Sequence, residues 1–239
     1  MQILKVISCL LDYPREDVRQ HRGDLALAIS NAREISPDMR SQLLETLQHI
    51  YQQDLIDAEE QYSGLFDQGR ILSIHLFEHV HGESRDRGQA MVDLMQVYED
   101  NGFAMDKREL PDFIPLFLEF LSWLPDMDAR EWLADVSPIL ARLGARLKER
   151  DSSYTNLFAA LLMICGQHGL MAEEQAAAEK EERDDTPEAL DREWEEAAVS
   201  FSPPDNCSTN KPAVDPNQRQ ALHWVDPAAT VNQPIGGQI

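Results

Sequence analysis

Residues 157–164 read LFAALLMI, and this stretch decides the fold class because it is apolar on every side. A helix of that kind belongs in the interior, so we expect it at the centre of a bundle. Outward from it, apolar residues recur three and four positions apart, which is typical of amphipathic helices. No stretch alternates in the manner of a strand. The sequence therefore predicts an all-α fold, built as a single helical-bundle domain.

Prolines, caps and glycines predict where the helices begin and end. We expect the first helix to close at Pro14 and another to begin at Ser36-Pro37, with the serine as N-cap. A later helix should stop at Asn101-Gly102, a typical left-handed C-cap pair. Asp112 is predicted to cap the next helix, and Ser137-Pro138 to begin a further one.

Composition changes near residue 172, and this predicts three regions. Residues 1–171 form the helical domain, and residues 172–201 form an acidic amphipathic helical segment opened by Thr186-Pro187. Whether that segment docks on the bundle through Trp194 or binds elsewhere stays open. Residues 202–239 are polar, rich in proline and without periodicity, so we expect a disordered tail.

The formal charge of −22 limits the classes of partner. Nucleic acid and anionic lipid are disfavoured, because both carry phosphates that basic residues must neutralise. A basic segment of another protein suits the field better. No run approaches the roughly 20 apolar residues that span a bilayer. The three cysteines are far apart and form no C-x-x-C pair, which favours a reducing, cytoplasmic location.

His75, Glu78 and His79 match the H-x-x-E-H pattern of inverted zinc proteases. On a helix the two histidines share one face, so they could hold a metal while Glu78 polarises its water. Catalytic zinc needs a third protein ligand, for which His81 and Glu83 are the candidates. A small zinc hydrolase is therefore one alternative function.

Residues 81–88, HGESRDRG, lack the ending of a phosphate-binding loop and follow no strand. We interpret them as a network of charges that packs helices, or as a surface that contacts a partner. Asp86 with Arg70 or Arg87 is the candidate buried pair. The second polar motif is RELPDF, residues 108–113, in which Pro111 fixes the backbone and Glu109 points from a loop.

The stretches 76–99, 108–121 and 183–196 together resemble the nitrate reductase molybdenum cofactor assembly chaperones of the NarJ/NarW type, within the wider TorD/DmsD-like chaperones. The resemblance covers Met1 to Phe201. In the wider family an E-x-P-D-H signature lines a region associated with binding the leader peptide of the client. Glu109, Pro111 and Asp112 match it, whereas Phe113 stands where histidine is common.

This resemblance implies a cytoplasmic chaperone without catalytic turnover or a cofactor of its own. It implies binding of the cofactor-free catalytic (alpha) subunit of a respiratory nitrate reductase, through its N-terminal segment, so that molybdenum cofactor enters before membrane docking. Cofactor-delivery proteins are further candidate partners, and a general acidic adaptor remains a third class of function. The candidate partner-binding residues are Tyr62, Arg70, Glu78, His79, His81, Glu83, Arg85, Asp86, Arg87, Glu109, Pro111, Asp112, Phe113 and Trp194.

Overall fold

The computed structural model describes residues 1–82, 84–105 and 109–194, with residues 193 and 194 described by their backbone alone. Within these ranges it contains helices and no strand, so the all-α prediction is confirmed. The helices are α1 Gln2–Leu11, α2 Glu16–Gln20, α3 Arg22–Asn31, α4 Pro37–Gln52, α5 Leu55–Phe66, α6 Glu78–His81, α7 Arg85–Asp100, α8 Ile114–Trp123, α9 Asp126–Lys148, α10 Thr155–Ile164, α11 Leu170–Ala178 and α12 Pro187–Trp194.

The apolar stretch 157–164 forms most of α10 and lies in the core as predicted. α10 packs on α9, α4 and α1, while α1 also packs on α8, and α11 packs on α9. Gly144 allows this close packing: a Cβ there would lie 2.6 Å from Sδ of Met171 and 3.1 Å from Cβ of Phe158. The core therefore depends on a small residue where α9, α10 and α11 meet.

Most helix boundaries follow local chemistry. Ser36 caps α4, its hydroxyl accepting the Met39 N–H at 3.2 Å, and Pro37 is the first helical residue. α7 ends at Asn101-Gly102, where Gly102 has a φ of +72°. Thr186 accepts the Ala189 N–H at 3.2 Å and so opens α12. These predicted caps are confirmed.

The prediction that Asp112 caps the following helix is wrong. α8 begins at Ile114, its N-cap is Phe113, and no side chain caps it. The carboxylate of Asp112 instead contacts Nδ1 of His75 and the N–H of Phe77, more than thirty residues earlier in the chain. The prediction of a helix beginning at Ser137-Pro138 is also wrong, because α9 continues through Pro138.

A serine compensates for the proline inside α9. Pro138 has no N–H, so the carbonyl of Ala134 loses its helical partner. The hydroxyl of Ser137 donates to that carbonyl at 2.7 Å, which replaces the missing bond. The helix can therefore pass through the proline and still bury residues on both sides of it.

The predicted division of the C-terminal part of the chain remains a prediction. α11 spans the predicted boundary at residue 172, and α12 reaches Trp194, so the division at 172 stays a prediction. Residues 195–201 and the predicted tail 202–239 lie outside the described residues.

Candidate functional site

The segment that carries the H-x-x-E-H pattern and the RELPDF motif meet through their backbones, and we call the contact between residues 73–81 and residues 109–114 the junction. The N–H of Ile114 donates to the carbonyl of Ile74, and the N–H of Leu76 donates to the carbonyl of Asp112, both at 2.9 Å. His75 and Phe113 form the antiparallel bridge between them. The segment before α6 and the segment before α8 are thus held side by side, although they lie almost forty residues apart in the chain.

Asp112 is the centre of this junction. Its side chain is fully buried, and its carboxylate accepts the Phe77 N–H at 3.1 Å and lies 3.3 Å from Nδ1 of His75. Burial opposes ionisation, but the bonds from His75 and Phe77 outweigh it and hold the pKa of Asp112 below its usual value. The buried charge is therefore satisfied by groups of the opposite motif.

A second charged contact joins α6 to α7. Nη2 of Arg87 lies 3.0 Å from Oε1 of Glu78, and both side chains are half-buried. Burial opposes ionisation of Glu78, but hydrogen bonds from Ser73 and Arg87 outweigh it and lower its pKa. Asp86, by contrast, is exposed, so the predicted burial of this group is wrong and Arg87 pairs with Glu78.

His79 fixes α6 to the preceding loop. Its Nε2 lies 2.7 Å from the carbonyl of Ser73, and because a carbonyl only accepts, this nitrogen carries the proton. Burial lowers the pKa of His79, so the imidazole is neutral at neutral pH. The ring therefore acts as a neutral donor that shapes the loop.

Tyr98 ties α7 to the second motif. Its buried hydroxyl donates to the carbonyl of Pro111 at 2.7 Å, and its ring packs on Phe103 and Phe120. The loop that carries the RELPDF motif is thus held from two sides, by α7 and by the segment before α6. This gives the junction a rigid base.

The outer surface of the junction is acidic and apolar. Glu109 is exposed, and Leu110 beside it exposes 44% of its area. Val80 on α6 is also exposed, while Phe113 and His81 are half-buried. The segments joined by the buried polar network thus each expose side chains to solvent: a carboxylate and a leucine on the RELPDF motif, and a valine on α6.

The remaining candidates are more scattered. Tyr62 is buried in the core, where its hydroxyl donates to the carbonyl of Leu11 at 3.0 Å. Arg70 and Arg85 are exposed. Glu83 and the side chain of Trp194 lie outside the described residues. The sequence reasoning missed Ser73, Val80 and Leu110, and exposed apolar residues inside polar motifs were the available signal for the last two.

The helical face required for zinc binding does not exist. α6 begins at Glu78, so His75 lies before the helix and bridges Phe113. Among the described residues no group of three His, Cys, Asp or Glu side chains is arranged to hold a metal ion. The premise of the H-x-x-E-H interpretation is therefore wrong, because the chain turns between the two histidines.

The chain is similar to known proteins of one family. The sequence model of the nitrate reductase delta subunit family matches residues 32–160. The nitrate reductase molybdenum cofactor assembly chaperone NarJ of Escherichia coli K12 is 44% identical over 238 residues, covering 98% of each chain.

Two other relatives carry similar names. The probable assembly chaperone NarW of Escherichia coli K12 is 43% identical, with 95% of each chain covered. The probable chaperone NarJ of Bacillus subtilis 168 is 30% identical over 72% of this chain and 93% of its own.

None of the helices in the described residues is long and apolar enough to cross a bilayer. The names describe assembly chaperones and not catalysts, which confirms that this chain is not an enzyme. The chain therefore belongs to the nitrate reductase delta subunit family of molybdenum cofactor assembly chaperones.

Proposed function

We propose that this chain is a dedicated chaperone that binds the catalytic subunit of a respiratory nitrate reductase before its molybdenum cofactor is inserted. The observation that carries the proposal is the full-length similarity to assembly chaperones of that enzyme. By holding the cofactor-free subunit, the chaperone keeps it open for cofactor insertion and delays docking on the membrane. Its action is binding and release, without turnover of a substrate.

The junction of the two motifs is the client-binding surface in this proposal. A segment that joins an apolar face to basic residues would place its apolar side on Leu110 and Val80 and its charge near Glu109. The N-terminal segment of the catalytic subunit is the client element that we assign to it. The buried contacts of Asp112 and Tyr98 hold the surface in shape before the client arrives, which reduces the entropy cost of binding.

The negative charge of the chain favours basic client segments and raises the rate at which they associate. A net charge of −22 attracts basic client segments over distances of about a Debye length, which raises the association rate more than the affinity. Such a complex dissociates readily, as a chaperone that must release its mature client requires. We place the exchange in the cytoplasm and include cofactor-delivery proteins among the partners. The chaperone assists cofactor loading and carries no cofactor of its own.

A matched pair of leucine variants tests the surface. Leu110 on the junction and Leu27 on α3 are both exposed, by 44% and 63%. Fully burying a leucine contributes about 1.5–3 kcal/mol, and a client could bury only the 44% of Leu110 that is exposed, so Leu110→Ser should remove about 0.7–1.3 kcal/mol and weaken binding of the client N-terminal peptide by about 3- to 10-fold. Leu27→Ser should leave the affinity unchanged when both are titrated calorimetrically.

The controls separate this proposal from a general acidic adaptor. An adaptor would bind an unrelated basic peptide of the same charge as tightly as the client peptide, and neither leucine would matter. Equal losses for Leu110→Ser and Leu27→Ser would place the client elsewhere. Retention of full affinity by Leu110→Ser would contradict the assignment of the junction.

A further inference from the structure

Three arginines stand in a row on one face at the end of α9. Arg142 and Arg146 are four residues apart, and Arg150 follows four residues later, just beyond the helix. We call these three residues the arginine row. Residues i and i+4 share a helical face, so Arg142 and Arg146 lie on the same face of α9, and Arg150 follows them just past its end. In a chain of formal charge −22 this is a local concentration of positive charge.

The row is covered by residues 174–185, which we call the acidic strap. Nε of Arg142 lies 3.2 Å from Oε2 of Glu174. Arg146 binds Glu181 with two nitrogens, at 2.6 and 2.8 Å. Each arginine of the row thus meets a carboxylate of the strap, and the order along the row follows the order along the strap.

The last contact is the most buried. The side chain of Arg150 exposes 7% of its area, and that of Asp185, 3.4 Å away, exposes 6%. Asp184 lies 3.9 Å from the same arginine. Bonds from Arg183 and Arg150 lower the pKa of Asp185 to about 2, so the strap stays charged at every physiological pH.

The strap also holds the loop before the candidate site. Oδ2 of Asp184 accepts the N–H of Ile71 at 2.7 Å, and Arg146 donates to the carbonyl of Ile71 at 2.7 Å. A Cβ on Gly69 would lie 2.6 Å from the carboxylate of Asp184, so only glycine permits this approach. Two residues after Ile71, Ser73 begins the contacts of the junction.

The strap is attached by charge far more than by apolar burial. Among residues 174–185, Ala178 is the one buried apolar side chain. Exposed ionic contacts such as that of Arg142 with Glu174 weaken with salt and exchange with competing ions, whereas the buried pair of Arg150 with Asp185 is screened less. An attachment of this composition is suited to release.

We propose that the arginine row is a binding surface for acidic peptide segments, that the acidic strap occupies it in cis, and that release of the strap frees the loop at Ile71. A tethered segment has an effective concentration of about millimolar, so a free acidic peptide competes only when the strap is weakened. When an acidic segment of a partner displaces the strap, the contacts of Ile71 are lost, and this change is passed to the junction because Ser73 lies two residues further along the loop. The inference concerns the chaperone alone and stands apart from the client assignment.

Neutralising the strap tests the proposal on the full chain. In the triple variant Glu181→Gln, Asp184→Asn, Asp185→Asn, the Ile71 amide should exchange with solvent about tenfold faster or more, measured by NMR. A synthetic peptide with the sequence of residues 174–185 should bind this variant and restore the protection. It should not bind the wild type, and adding Arg146→Ala should abolish its binding to the triple variant.

The control carries the same change of charge on α9, the helix that holds Arg142 and Arg146. Asp128→Asn, Glu131→Gln, Asp135→Asn alters three exposed carboxylates of α9 and should leave the Ile71 amide protected. A salt titration of the wild type needs no variant: exchange at Ile71 should accelerate with ionic strength, while the Ile114 amide stays constant. Unchanged protection of Ile71 in the triple variant, no salt effect, or failure of the peptide to bind would each overturn the proposal.

Discussion

Removal of the Asp112 carboxylate is the most informative perturbation of the junction. The side chain is fully buried and accepts the Phe77 N–H at 3.1 Å beside Nδ1 of His75. Hydrogen bonds to a charged group contribute about 1.5–3 kcal/mol, and a buried donor left without a partner costs about 1–3 kcal/mol. Asp112→Ala should therefore lower the free energy of unfolding by about 2–4 kcal/mol.

Asp112→Asn separates charge from shape. The amide keeps an oxygen for the Phe77 N–H but loses the ionic component, so we expect a loss of about 1–2 kcal/mol. Both variants would be unfolded in urea at pH 7 and followed by tryptophan fluorescence. Asp93→Ala is the control, because Asp93 is exposed on α7 and a surface change of this kind stays within about 0.5 kcal/mol.

The pH dependence has a definite sign. The folded-state pKa of Asp112 is lower than its unfolded value of about 3.9, so its contribution is present above that pH and lost as the pH falls through the folded-state pKa. The difference between wild type and Asp112→Asn should therefore shrink below about pH 4. A loss under 0.5 kcal/mol for Asp112→Ala at pH 7 would refute the argument that this carboxylate joins the motifs.

Three further predictions concern stability. Tyr98→Phe removes the bond to the carbonyl of Pro111 and should lower the free energy of unfolding by about 1–2 kcal/mol in urea; no change would show that water replaces the hydroxyl. Gly144→Ala should cost about 1–3 kcal/mol, whereas Gly23→Ala, in open space on α3, should stabilise by about 0.5–1 kcal/mol; equal effects would contradict the close packing. Burial lowers the pKa of His79, so the free energy of unfolding of the wild type should fall as the pH drops below about 6.5, and His79→Gln should lack this pH-dependent loss. Parallel curves of unfolding free energy against pH for the two proteins would contradict this prediction.

Features governed by neighbouring residues were predictable from the sequence. The caps at Ser36 and Thr186 and the end of α7 at Asn101-Gly102 each depend on groups within one helical turn. The position of α10 in the core follows from its composition alone. Such features require no knowledge of distant contacts.

Features governed by distant residues were not predictable. Asp112 has the local pattern of an N-cap, yet its partners lie more than thirty residues earlier in the chain. Pro138 has the local pattern of a helix start, yet packing on both sides of α9 and the bond from Ser137 keep the helix continuous. The two motifs of the site were recognised individually, but their backbone pairing arises only in the folded chain.

We propose that this chain binds the catalytic subunit before cofactor insertion, and this binding can be measured with the purified proteins. The most direct measurement is a calorimetric titration of the full chain with the cofactor-free catalytic subunit and with the cofactor-loaded subunit, each at low and high salt. We expect saturable binding to the cofactor-free form, weakened by salt, and much weaker binding to the loaded form. Equal affinity for both forms, or no binding to the cofactor-free form, would contradict it.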